Sequence, residues 1–190
     1  MTVQDVLKLT VQYIGDEDLL KTTSLGGTQT PTEQQNSKLN MLLTCANDTI
    51  QSLALMYFPL KFEEDIYSQN GIFEFSSLQK PILDILSLTD SHLKTDVKYS
   101  QYPTYFETKS GYLHIIYTYS PANLCDFLDK IEVVENKVTQ RLVALGIASR
   151  YYMLVGMYSD ASSWNETFER AILVAKRRKD NVVLKKRRWI

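Results

Sequence analysis

The spacing of apolar residues changes twice along this 190-residue chain, and that change limits the possible folds more than any other feature. Before Pro59 and after Pro121, apolar residues recur at the spacing of amphipathic helices. Between Lys61 and Tyr119 they alternate with polar residues, as in half-buried strands. The sequence therefore predicts an α+β protein in which a small antiparallel β domain, residues 61–120, is inserted into a helical bundle.

The helical segments have recognisable ends. Thr2 and Asp5 have the spacing of a capping box, and Gly15 supplies a stop for a short first helix. Thr32 and Gln35 repeat the capping pattern before a longer second helix that ends at Pro59. A third apolar stripe, expected to pack on the second helix, runs from Ile131 to Val155. A fourth comprises Trp164, Phe168, Ile172 and Ala175. Residues 1–60 and 121–178 are thus predicted to form an antiparallel bundle of about four helices.

Two turn signals organise the predicted β domain. Asn70-Gly71 and Ser110-Gly111 each lie between β-prone segments, and each is predicted to close a hairpin. The predicted strands are Phe62–Ser68, Ile72–Phe75, Ile82–Leu88, Asp96–Tyr99, Tyr105–Thr108 and Tyr112–Tyr119.

Charge is distributed unevenly along the chain. Residues 176–190 contain eight Lys or Arg and one Asp, a charge of +7. Because the whole chain carries −1, residues 1–175 carry −8. Such asymmetry indicates an interaction segment, and residues 179–190 are predicted to form an extended basic arm. The predicted partner-binding residues are Lys176, Arg177, Arg178, Lys179, Val182, Val183, Leu184, Lys185, Lys186, Arg187, Arg188, Trp189 and Ile190.

This segment could be a solvated tail, a nucleic-acid arm or a docking strand for a protein. The apolar step Val182–Leu184 and the terminal Trp189-Ile190 are costly to leave in water, which argues against a solvated tail. The cations of a nucleic-acid arm would bind phosphates, but the rest of the chain is acidic and would repel the same nucleic acid. A protein that pairs with the apolar step and presents carboxylates uses every feature of the segment, and a second copy of this chain is one such partner.

Catalytic and metal-binding signatures are missing from the sequence. His92 lies in a polar turn and His114 in a predicted strand, and neither has a second ligand at a suitable spacing. The acidic run Glu63–Asp65 is interpreted as the charged edge of an exposed strand. We therefore expect no enzyme activity, no metal site and no cofactor.

The cysteines and the apolar runs indicate the cellular compartment in which the protein is expected to fold. Cys45 and Cys125 lie on segments predicted to be buried, which favours reduced thiols over a disulfide framework. The longest apolar runs fall short of a bilayer span, and the N-terminus lacks the pattern of a secretory signal. No membrane association is expected.

The order of elements and several local strings resemble the head-to-tail connector proteins of tailed bacteriophages, a family of neck adaptors that includes tail tubular and portal-adaptor proteins. The similar segments are Val3–Leu7, Leu39–Tyr57 before Pro59-Leu60, Lys80–Ile82, Arg141–Val155, Trp164–Arg170 and Arg187–Ile190.

This resemblance implies a structural virion protein, made in the bacterial host cytoplasm and located in the virion neck or tail. It would form a ring, typically dodecameric, below the portal, join the capsid to the tail and line the DNA channel. The implied partners are the portal protein, neighbouring copies, tail or nozzle proteins, and genomic DNA that passes without sequence-specific binding. The bundle would form ring contacts and the arm would reach the portal. A small nucleic-acid-binding protein that uses the basic tail is the alternative.

Overall fold

The chain folds into two compact units. The structure is a computed structural model that describes residues 1–177. The helical unit comprises, within that range, residues 1–49, 124–131 and 135–177, and the β unit comprises residues 50–123 and 132–134. The fold is α+β, with five α-helices and two antiparallel sheets among the described residues.

The helices are α1 Val3–Ile14, α2 Glu17–Leu20, α3 Glu33–Ser52, α4 Gln140–Leu154 and α5 Tyr158–Arg177. The strands are β1 Leu60–Ser68, β2 Ile72–Glu74, β3 Ile82–Asp90, β4 Ser100–Gln101, β5 Tyr105–Glu107 and β6 Gly111–Tyr119. No helix within residues 1–177 is both long and apolar enough to cross a membrane.

Both predicted capping boxes are present. The Thr2 hydroxyl accepts a hydrogen bond from the Asp5 backbone N–H at 3.3 Å, and the Asp5 carboxylate accepts one from the Thr2 N–H at 3.1 Å. The Thr2 hydroxyl also donates to Asp5 Oδ2 at 2.6 Å, and this bond, followed by the bond from the Thr2 N–H, holds the pKa of Asp5 below its ordinary value. Thr32 and Gln35 exchange the same pair of bonds before α3. Gly15 ends α1 with φ of 73°, a left-handed conformation that glycine adopts without a steric cost.

The third helix begins later than the sequence predicts. Thr139 caps α4 by accepting a hydrogen bond from Leu142 N–H, so the predicted helical segment from Ile131 to Val138 is irregular. Ile131 and Val138 are nevertheless buried. Their spacing in the sequence matches that of an apolar helical stripe, which is why a helix was predicted here. The backbone of this region bonds to the chain start instead, with Ile131 N–H donating to Met1 C=O at 3.2 Å. Such bonds satisfy backbone groups that a helix would otherwise pair internally.

Helix α4 is the centre of the helical unit. Its residues from Leu142 to Ser149 are buried on every side, so it packs along α5 and against α1 rather than mainly on α3 as predicted. It approaches α3 closely at Gly146, whose backbone lies against the Thr49 methyl and the Phe168 ring. The absence of a side chain at Gly146 permits this approach.

Both predicted hairpins are wrong. The two sheets have strand orders β1-β6-β3 and β2-β5-β4, so β1 pairs with β6 and not with β2, and β5 pairs with β2 and not with β6. Gly71 has φ of 77°, but among described non-glycine residues only Lys94 has a positive φ. The type I′ turn, which needs a positive φ at Asn70 as well, is therefore absent from this position.

Gly71 serves a different contact. Its carbonyl accepts a hydrogen bond from Thr108 N–H at 2.7 Å, and a Cβ at Gly71 would lie 2.5 Å from the Thr108 carbonyl oxygen. The predicted strand Asp96–Tyr99 is also wrong, because Asp96 forms only an isolated bridge with Thr89. The segment Ile82–Leu88 is confirmed as most of β3.

One buried tyrosine links the β-unit core to its acidic edge. The core consists of Ile66, Leu78, Ile85, Leu88, Phe106, Leu113, Ile115 and Tyr117. The Tyr117 hydroxyl donates to Glu64 Oε1 at 2.6 Å and accepts from Lys80 N–H at 3.2 Å. Burial, followed by the bond to Glu64, raises the pKa of Tyr117 to about 12. Glu64 thus faces the core network, whereas its neighbours in β1 point outward.

Candidate interaction surfaces

Two of the predicted partner-binding residues lie within the described structure. Lys176 and Arg177 are exposed in the last turn of α5, where their charges also suit the negative end of the helix dipole. The remaining predicted residues, Arg178, Lys179, Val182–Leu184 and Lys185–Ile190, lie outside the described residues.

The turn between α4 and α5 exposes a set of large apolar side chains. Gly156 has φ of 81°, and Met157 N–H donates to Tyr152 C=O at 2.9 Å, which closes the turn as a Schellman motif. The surrounding side chains are between 42% and 71% exposed. We name this surface the apolar corner, and it consists of Met153, Leu154, Val155, Met157 and Tyr158.

The apolar corner was not predicted as a binding surface. The sequence places Val155 on the inner stripe of its helix, but the structure exposes it, because the helix ends one residue earlier and the chain reverses. The apolar stripe in the sequence therefore did not predict the residue at which α4 ends and the chain leaves the core. The unusually dense apolar run up to Met157 was the available signal.

Strand β1 presents an acidic and aromatic surface along the edge of its sheet. The Glu63 and Asp65 side chains are 72% and 74% exposed. Tyr67 follows on the same side and packs against Tyr112 of β6, with ring centroids 4.7 Å apart. His114 Nδ1 lies 3.0 Å from Asp65 Oδ1. We name these five residues the β1 face.

His114 lies with Tyr112 on the less buried side of β6. It also brings Asp65 to His114, a neighbour that the sequence spacing did not indicate, because the pairing of β1 with β6 was not predicted. The predicted edge position of Glu63–Asp65 is confirmed.

A cavity of about 340 Å³ lies beside the β1 face. Its lining consists of Asp65, Thr89, Asp90, Ser91, Lys94 and His114. Asp90 is held there by an ion pair with Lys109 and by hydrogen bonds from the His92 and Leu93 N–H groups at 2.9 and 3.0 Å. These contacts, Lys109 first, lower the pKa of Asp90 to about 2.

The turn at Asp90 is expected to loosen in acid. Because the folded pKa of about 2 lies below the ordinary value of 3.8, the contribution of Asp90 is present above the ordinary value and is lost as the pH falls towards 2. An NMR titration of the Asp90 carboxyl carbon should give a midpoint near 2. In the Lys109→Gln variant the midpoint should rise, because the contact with Lys109 is the largest cause of the lowered pKa of Asp90. A wild-type midpoint at the ordinary value would contradict this account.

A second cavity, also of about 340 Å³, lies between the start of α4 and the end of α5. Its apolar floor includes Leu142 and Leu145, and its rim carries Lys137, Arg141 and Arg170. Arg170 also pairs with Glu166 at 3.3 Å on an exposed surface, where such pairs stabilise little. The cations of this rim contrast with the carboxylates of the β1 face.

The two cysteines have different surroundings. Cys45 is buried as predicted, and burial raises the pKa of its thiol to about 11, which suppresses its reactivity. Cys125 is exposed, contrary to the prediction, because it lies in the irregular segment before α4, where its N–H donates to Asp129 at 2.8 Å. Neither of these two described cysteines forms a disulfide.

Within residues 1–177, no group of three His, Cys, Asp or Glu side chains is arranged to hold a metal ion. Comparison of the sequence with models of protein families gave no match, and comparison with curated proteins gave no significant match. The function of the chain must therefore be inferred from its own surfaces and from the resemblance described above.

Proposed function

We propose that this protein is a structural subunit of a phage virion that forms a ring below the portal, joins the capsid to the tail and surrounds the path of the DNA. The apolar corner carries this proposal. Five large apolar side chains are crowded around one turn and exposed to water. This exposure is unfavourable by about 25 cal/mol for each Å² of apolar surface. Contiguous surfaces of this kind mark protein interfaces. Assembly of the ring on the portal would cover the corner.

The helical unit suits the role of the bundle that makes ring contacts. Helix α4 is buried along most of its length, so the corner at its end is held on a rigid element. Rigid presentation reduces the conformational entropy that association must overcome. In this proposal residues 179–190 form the arm that contacts the portal or a neighbouring copy, and the last turn of α5, which precedes it, carries Lys176 and Arg177.

The charge of the chain is compatible with a DNA conduit. Residues 1–175 carry −8, and a surface of the same sign as phosphate does not retain DNA that has to leave the capsid. The cationic rim of Lys137, Arg141 and Arg170 favours a second candidate, a small nucleic-acid-binding protein. That function requires DNA binding that weakens steeply with salt and disappears when Lys185–Arg188 are neutralised.

The proposal is tested by mixing the protein with the portal protein encoded in the same genome. The full chain is expected to co-sediment with the portal, and a chain ending at Arg177 is expected to bind at least about tenfold more weakly, because it lacks the proposed arm. Circular dichroism and the unfolding midpoint of the shortened chain provide the control for its fold. Equal portal binding by the two chains would show that residues 178–190 are not the docking segment.

A further inference from the structure

We propose that residues 178–190 of one copy add as a strand to the open edge of β1 in a neighbouring copy. This inference rests on the proposed role of these residues as a docking segment, and it assigns them to the contact between neighbouring copies of the ring. Loss of the segment then weakens portal binding because the ring no longer assembles. The receiving surface is the β1 face together with the backbone edge of the same strand.

Strand β1 is a regular and open template. It pairs with β6 along all nine of its residues without a register shift, and no other strand in the described structure pairs with its outer edge. The opposite edge of the sheet, β3, has register shifts that leave Leu83 and Leu86 as bulged residues. Bulges disturb the ladder of backbone groups that an added strand needs. Of the two edges of this sheet, β1 is therefore the better acceptor.

The acidic side chains make this edge selective. Glu63, Glu64 and Asp65 follow one another in β1, so both faces of the strand carry a carboxylate at the edge. Like charges directly opposite each other destabilise a strand pair, so β1 is protected from pairing with a second β1. A basic strand experiences the opposite effect, because opposite charges across a strand pair are favourable.

The basic segment has a matching spacing. Lys185 and Arg187 are two residues apart, as are the two outward carboxylates of the β1 face. If Lys186 lies opposite Glu64, either direction of the added strand places these two cations opposite the two outward carboxylates. The match in charge therefore does not depend on whether the added strand is parallel or antiparallel.

The same register also covers apolar surface. On the outward side, Trp189 lies opposite Tyr67 in a parallel pairing, and Val183 lies opposite it in an antiparallel pairing. The exposed Tyr67 and Tyr112 rings are covered in both cases, and aromatic pairs across strands are favourable. The segment thus uses its cations and its apolar residues on one continuous surface.

Binding is measured by the fluorescence anisotropy of a labelled peptide of residues 178–190. The acceptor is the full chain with Lys185→Gln and Arg187→Gln, whose own segment competes poorly. We expect saturable binding that weakens by about tenfold, or about 1.4 kcal/mol, when Glu63→Gln and Asp65→Asn are added. The matched control is Glu74→Gln with Asp84→Asn, two exposed acids elsewhere in the β unit, which should leave binding unchanged.

Three further peptides separate strand pairing from attraction by charge alone. A peptide with the same residues in scrambled order should bind weakly, and equal binding would overturn the proposal. Peptides N-methylated at alternate residues should differ, because only every second N–H of an added strand points to its partner. Equal binding by the two methylated peptides would exclude pairing with the edge of β1.

The position of the contact between copies is tested by mixing two full-length variants. One carries Glu63→Gln and Asp65→Asn and keeps its segment, whereas the other carries Lys185→Gln and Arg187→Gln and keeps its β1 face. Sedimentation should show a complex of the two variants, joined head to tail, that neither variant forms by itself. If the peptide binds but the variants do not associate, the segment docks on its own copy and the proposed contact is wrong. Portal binding by the first variant separates this failure from failure of the proposed function.

Discussion

Replacing Gly146 by alanine is expected to destabilise the helical unit by about 1–3 kcal/mol, the typical cost of overpacking a core. A Cβ at this position would lie 2.6 Å from the Thr49 methyl and 2.8 Å from a ring carbon of Phe168. Both distances are too short for carbon atoms, so α3 or α5 must move. On an exposed helix the same change stabilises by about 1 kcal/mol, so steric crowding has to outweigh helix propensity. Urea unfolding gives the free energy of unfolding directly.

A second substitution tests the cause of this effect. Thr49→Ser removes the methyl that a Cβ at Gly146 would meet, but keeps the hydroxyl that donates to Cys45 C=O at 2.7 Å. The cost of Gly146→Ala should be smaller when Thr49→Ser is also present. It should not vanish, because the Phe168 ring remains. Equal costs with and without Thr49→Ser would contradict the packing described for α3 and α4.

Charges placed in the apolar corner are expected to abolish assembly on the portal while leaving the fold intact. Met153→Glu and Tyr158→Glu put two carboxylates on side chains that are 58% and 71% exposed. The free energy of unfolding should change by no more than about 0.5 kcal/mol, because such surface sites contribute little to stability. Burial of two unpaired charges in an interface costs far more, so ring assembly should fail.

The matched control for the corner is Asn40→Glu with Thr44→Glu on the exposed side of α3, which makes the same change in net charge. This control should assemble like the wild type, as judged by sedimentation with the portal. Assembly by the corner variant at the wild-type level would mean that the apolar corner is not an assembly contact.

Helix ends were predictable because their chemistry is local. Thr2 with Asp5 and Thr32 with Gln35 each satisfy backbone groups within four residues, so the sequence contains all the partners needed. The start of α4 was mispredicted because Ile131 is buried through a contact with the chain terminus, far away in sequence. A buried loop residue at helical spacing cannot be distinguished from a helical residue by periodicity.

Strand pairing was not predictable from turn signals. Gly71 has the conformation that the sequence suggested, but its partner is Thr108 in a distant strand and the two strands flanking it do not pair. Because β1 pairs with β6 across about 50 residues of chain, the contact of Asp65 with His114 was also missed. The β1 face exists only through that long-range pairing.

For most of the proposed binding segment, the prediction is supported by the sequence alone. Lys176 and Arg177 are exposed in the last turn of α5, and their role in binding a partner stays a prediction. The prediction for Arg178–Ile190 falls outside the described residues. The structure adds the apolar corner and the β1 face, which the sequence patterns did not single out as binding surfaces.

Electron cryo-microscopy of the full chain mixed with its portal protein tests the central proposal most directly. The proposal predicts a closed ring of copies stacked on the portal, with the apolar corner covered by a neighbouring protein and a central channel wide enough for duplex DNA. A portal without added density, together with salt-sensitive binding of this chain to DNA, would contradict the proposal and favour a nucleic-acid-binding protein.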